Sequence, residues 1–197
     1  MTTLPSSGSP DDHLPDTSSS DPAEVTPEWA PVEPLPSSEM LLAAFAGLTP
    51  ITATDILDPA SDLVICQERH LLAFEVLASG AVAGERVQSV ATALVSAREE
   101  LDLLVTIIDD AVGKRLPRRQ RDGKHLAGPD GNARPVPVHT ESIGEIAARM
   151  AALWEVVSAH VGDVGDLPEA HRLMELSEGY DALAAEIDAG RRIPPGL

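Results

Sequence analysis

Between residues 63 and 112 the chain contains no proline, and apolar side chains return at helical spacing throughout. In the second half the stripe reads Val87, Val90, Leu94, Ala97, Leu101, Leu104, Ile108 and Val112, in alternating steps of three and four that suit a partner helix. Leu103, Val105 and Ile107 widen the apolar arc beyond one seam, which predicts more than one neighbouring helix there. Gly80 and Gly84 interrupt the pattern, each at ~1 kcal/mol against alanine in a helix interior. The two glycines could split the helix into two, but the periodicity on both sides favours one long helix with a kink.

Shorter elements flank it. Ser38 stands in N-cap position before the run MLLAAFAGL, which Gly47 and Pro50 bring to a stop. A helical turn fits residues 52–57, with Asp58 or Ser61 as the cap of the long helix. Ser142 and Glu145 have capping-box spacing and precede an apolar face of Ile143, Ala147, Met150, Trp154, Val157 and Val161, ended by Gly162. Asp166 and Pro168 open a last helix whose buried side is Leu173, Leu176, Tyr180, Leu183 and Ile187, stopped by Gly190 and Pro194. The short GDVGD link favours an antiparallel hairpin. The expected fold is all-α: a long central helix packed with a C-terminal antiparallel helical hairpin and a short N-terminal helix.

Composition divides the chain further. Residues 1–36 are rich in Pro, Ser, Thr and Asp, and cannot bury enough apolar surface to offset the ~1 to 2 kcal/mol of backbone entropy lost per ordered residue. They are expected to form a disordered tail, with residues 37–197 as one helical domain. Of the formal net charge of −18, residues 1–68 carry −12, because twelve acids precede the first base, Arg69. The opposite sign gathers in KRLPRRQRDGKH, whose six bases are Lys114, Arg115, Arg118, Arg119, Arg121 and Lys124. This run begins a Gly- and Pro-rich loop over about residues 113–139, a length that in compact domains marks functional or disordered segments. Arginine forks suit phosphate, so the run is a candidate polyanion site. It has no aromatic side chain to stack on bases, and the acidic domain around it lacks the usual basic footprint of a nucleic-acid binder.

Cys66 is the only cysteine, so no intramolecular disulfide forms. The first thirty residues lack the basic and apolar regions of a secretion signal, and no apolar run approaches the ~18 residues of a membrane span. A cytoplasmic protein without a membrane segment is expected. Arginine appears twelve times and lysine only at Lys114 and Lys124, a usage typical of high-GC, bacterial coding.

The titratable clusters each fall short of a complete chemical site. Cys66 and His70, four apart on a helix, supply half a zinc site, but no second pair completes it and Leu63, Phe74 and Leu77 share their face. Asp109 and Asp110 have the paired spacing of the aspartate-rich magnesium motif of prenyl-transferring helical enzymes, yet the third acid position is Gly113. Glu99 and Asp102 have the ExxD spacing of all-helical nucleotide pyrophosphatases, but ExxE spacing recurs only far along the chain, at Glu175 and Glu178. No ExxH pair for a di-iron bundle and no Walker or Rossmann glycine loop is present, and His125, His139, His160 and His171 have no evident nucleophile or carboxylate partner. No cofactor, metal or catalytic residue is assigned.

Gly80, Ala81 and Gly84 leave an almost bare helix surface, which fits a helix-contact seam for self-association, or equally a crossing with the short N-terminal helix. The expected function is a non-enzymatic helical interaction or regulatory protein. Its stripe is long enough for a homodimer seam, unless Trp154 and Tyr180 cover it within one chain. A nucleic-acid-binding regulator using the Arg-rich loop, and a small helical enzyme with a pocket lined by Cys66, His70 and acidic groups, are the alternatives.

Overall fold

The computed structural model describes residues 33–48, 51–81, 83–116, 126–127, 133–134, 136–162 and 164–195. Five α-helices make up the described architecture: α1 (Ser38–Phe45), α2 (Thr54–Ala78), α3 (Glu85–Arg115), α4 (Ile143–Ser158) and α5 (Pro168–Asp188). A 3-10 turn, Val164–Asp166, precedes α5. The all-α expectation holds. The only strands among the described residues are two-residue segments, Leu126–Ala127 and Ala133–Arg134, paired antiparallel within the long loop.

The single long helix does not. It is broken into α2 and α3 at Gly80 and Gly84, whose φ values of 63° and 65° lie in the left-handed region that a helix excludes. The apolar periodicity continues through the break because each arm supplies one side of the same antiparallel hairpin. Ion pairs between Arg69 and Glu100 and between Asp55 and Arg115 mark a nearly constant register along it. At its other end α2 starts earlier than expected, at Thr54 after Ala53 in the left-handed conformation, and passes through Pro59. Pro59 is the sixth residue of α2, so its missing N–H removes one bond of the helical ladder, the one that would reach back to Asp55.

The core lies between the α2–α3 hairpin and α4 and α5, with α1 closing one end. Ile56, Leu57 and Leu63 of α2, Ile108 and Val112 of α3, Met150 of α4, and Tyr180 and Ile187 of α5 are fully buried. The capping box is present with both of its bonds: the Glu145 N–H donates to Ser142 Oγ, and the Ser142 N–H donates to Glu145 Oε2 at 2.7 Å. Two cap positions move. Ser37, not Ser38, caps α1, and α5 begins after Leu167 with no side-chain cap, Asp166 belonging to the 3-10 turn. Val161 is 98% exposed beyond the end of α4 instead of extending its apolar face.

The domain also begins earlier than composition suggests. Leu35 and Pro36 are buried, and Glu33 to Pro36 run as a strap along α5. The Leu35 N–H donates to Asp188, the Tyr180 hydroxyl donates to the Pro36 carbonyl at 2.8 Å, and Asp181 accepts from both the N–H and the Oγ of Ser38. Residues 1–32 of the expected tail lie outside the described residues. The segment after α5 returns to the start of α4, where the His139 N–H donates to the Ile193 carbonyl and the Ile193 N–H to the Pro137 carbonyl.

Candidate functional site

The six bases of the basic run do not form one described cluster. Lys114 is exposed on the last turn of α3, while Arg118, Arg119, Arg121 and Lys124 lie outside the described residues. Arg115 departs from the polyanion expectation. Its side chain is only 8% exposed and is held by Glu33 and Asp55, with a further bond to the Pro34 carbonyl. It pins the strap to the hairpin, and its guanidinium is already occupied.

Gly80, Ala81 and Gly84 sit in the exposed connection between α2 and α3, so the helical surface on which a close-packed seam was expected is not there. A Cβ at Gly80 or Gly84 meets nothing within 4 Å. What a side chain at Gly84 meets instead is backbone strain, since its φ of 65° and ψ of −141° belong to a region that is nearly glycine-only.

Cys66 is buried between the hairpin arms, where the Arg69 guanidinium donates to its sulfur at 2.9 Å. Burial pushes the thiol pKa up, with Arg69 opposing the shift, so the thiol rather than the thiolate is present at neutral pH. Among the described residues no group of three His, Cys, Asp or Glu side chains is placed to hold a metal ion. Two open grooves lie elsewhere. One is lined by Arg149, Leu153, Arg172 and Leu176. The other, of about 450 Å³, includes Leu42, Val157, His171 and Met174, and its polar edge is the Ser38–Asp181 pair already bonded to itself.

Asp109, considered above for magnesium, caps α4 from α3: the Gly144 N–H donates to its Oδ1 at 2.8 Å. Burial raises its pKa, and the bonds from Ser142 and Gly144 only partly oppose this. The sign follows. A carboxylate with its folded pKa raised contributes stability as pH falls through the interval between its unfolded value, ~3.9, and the raised value, and lowers stability once ionised. Asp109→Asn keeps the acceptor and removes the charge. It is expected to equal or exceed the wild type in urea midpoint at pH 7 and to show a smaller gain on acidification. A loss above ~1 kcal/mol at pH 7 would instead mean that the helix terminus depends on the negative charge itself.

The most distinctive surface was only partly visible in the pattern. Ile65, Arg69, Leu72 and Val76 recur at steps of four, three and four on α2, and Ser96, Glu100, Leu103 and Ile107 do the same on α3. The Arg69–Glu100 ion pair crosses between the two stripes, so both lie on one face of the hairpin. Exposure there is 57% for Ile65, 53% for Leu72, 38% for Val76, 58% for Leu103 and 41% for Ile107. Helix α4 packs elsewhere, through Gln67 with the Ala148 carbonyl and Asp109 with Gly144. The second neighbour expected over this part of α3 is α4, which meets Val105 at Gly144, but it leaves Leu103 and Ile107 exposed among the described residues. Arg69 holds the Glu100 carboxyl below its usual pKa, so the pair stays charged on both sides. No helix of the described residues is long and apolar enough to cross a membrane.

No known family model matches the chain, and no curated protein or solved structure matches it.

Proposed function

We propose that the protein is a non-enzymatic interaction protein whose contact surface is the outer face of the α2–α3 hairpin. The observation that carries this is the exposure of five aliphatic side chains, Ile65, Leu72, Val76, Leu103 and Ile107, around one ion pair. Contiguous apolar surface of this kind is costly in water and marks contact sites in soluble domains. A photo-crosslinking side chain at Leu72, compared in cells with one at exposed Ala185 on α5, tests it. Discrete adducts from position 72 and none from 185 are expected. Equal, diffuse labelling at both positions sinks the reading.

A second reading, binding of a polyanion by the basic run after Arg115, draws support from the Glu33–Arg115 ion pair at 3.2 Å. That contact joins the end of the acidic segment to the start of the basic one. The acidic tail would then act as a tethered competitor, at an effective concentration on the order of millimolar.

A further inference from the structure

We infer that the occupant of the outer face of the α2–α3 hairpin is a second copy of this chain, packed about a two-fold axis so that two hairpins form a four-helix bundle. This rests on the contact face proposed above and adds its partner.

The apolar arc of α3 is built for two layers. Leu101, Leu104 and Ile108 point into the core that the chain itself completes, while Leu103 and Ile107, on the same turns, face out. On α2, Leu63 and Cys66 are buried and Ile65 and Leu72 face out in the same way. The hairpin is thus the middle layer of a sandwich whose outer slice the described chain leaves open. A second hairpin has the length and the side-chain spacing to fill it, because it presents the same stripe in the same steps.

The charges of the face also fit a copy of itself. Each stripe carries one charged residue, Arg69 on α2 and Glu100 on α3, and the two are already paired. A two-fold axis through the face brings this pair against its equivalent, so each guanidinium lies near both carboxylates and no charge enters the interface unpaired. A strongly acidic or basic partner would set an uncompensated charge against the aliphatic side chains. Five aliphatic side chains at about half exposure present on the order of 400 Å² of apolar surface, the size of the largest patch on ordinary monomers. With Arg69, Glu100 and Ser96 covered as well, the face approaches the ~800 Å² per partner of a standard stable interface.

Repulsion between two chains of net charge −18 opposes the pairing, so added salt should tighten it. A partner held by charge would show the reverse. Sedimentation of the full chain is the test, at protein concentrations up to about 200 µM, well above the dissociation constant that an interface of this class typically reaches. A dimer that strengthens between about 0.1 and 0.5 M NaCl is expected. Leu72→Glu with Leu103→Glu should give a folded monomer whose thermal midpoint, unlike that of the wild type, does not rise with protein concentration. Arg69→Glu, which faces Glu100 with a like charge, should weaken the dimer at least about tenfold, and the swap Arg69→Glu with Glu100→Arg should restore it. A wild-type chain that stays monomeric throughout, or a dimer indifferent to the Leu72 and Leu103 changes, overturns the inference. A monomeric chain whose position 72 still crosslinks one other protein in cells removes the second copy and leaves the contact face standing. A monomer without adducts removes both.

Discussion

Replacing Gly144 by alanine lowers the unfolding free energy by about 3 kcal/mol, an overpacking cost at the upper end of the usual range. A Cβ at Gly144 lies 2.5 Å from the Val105 carbonyl oxygen, 3.0 Å from Val105 Cγ1 and 3.1 Å from Asp109 Oδ1. The first of these is backbone in the middle of α3, so no rotamer change relieves it. Helices α3 and α4 must separate at their closest approach, and the separation also stretches the bond from the Gly144 N–H to Asp109 that ties the two together. Urea denaturation reads the loss directly. A midpoint for Gly144→Ala within error of the wild type would mean that α4 slides along α3 without cost, contrary to the close packing described. The outer-face changes Leu72→Glu and Leu103→Glu provide the contrast, since they alter larger side chains on the same hairpin at half-exposed positions.

Deleting residues 1–36 destabilises the domain by on the order of 5 kcal/mol, whereas deleting residues 1–32 leaves it intact. The four residues between these cut points form most of the strap. Their removal takes Leu35 out of the core, at ~2 kcal/mol for a buried aliphatic side chain. It leaves the buried Tyr180 hydroxyl without the Pro36 carbonyl, at ~1 to 3 kcal/mol. It also strips Asp188 of the Leu35 N–H and Arg115 of Glu33. Burial already raises the Asp188 pKa against the pull of that N–H and of Arg115, so losing the N–H leaves the carboxylate with Arg115 alone to offset its burial. Set against the ~5 to 15 kcal/mol that holds a typical domain together, this can unfold a large fraction at room temperature. Urea midpoints of the two truncations decide, and equal values would show that the strap contributes nothing. The shorter deletion removes six acids and no base, so it is also the form in which to test the tail as a competitor. Heparin at low salt should bind it more tightly than the full chain, and Arg118→Gln, Arg119→Gln and Arg121→Gln together should remove the gain.

The helices themselves were largely legible. Ser142 with Glu145, the apolar faces of α4 and α5, and the glycine stops all follow from interactions within a few residues, which sequence exposes. The break between α2 and α3 was not, because the pattern before and after it has one phase. The deciding quantity, positive φ at Gly80 and Gly84, leaves no trace in periodicity. The strap is hidden for another reason: Leu35 and Pro36 sit in a stretch whose composition reads as tail, and their partners lie on α5, with 153 residues separating Leu35 from Asp188. Arg115 stands among bases in sequence, while the acid that claims it, Asp55, is 60 residues away. The outer face was half visible. Leu103 and Ile107 stood out as surplus to one seam, but Ile65, Leu72 and Val76 had the same spacing on α2 and were absorbed into a single long helix.

The strap also sets an order on the birth of the protein. The α2–α3 hairpin is local in sequence and can form while the chain is still being made. The strap cannot dock until α5 has left the ribosome, because Tyr180, Asp181 and Asp188 are its seat. Before α4 emerges the nascent hairpin stands with its inner aliphatic side chains as open as its outer ones, and until α5 follows the strap has no seat. The order in which α4 and α5 leave the ribosome therefore sets when the inner face of the hairpin is closed and when the strap is locked onto α5.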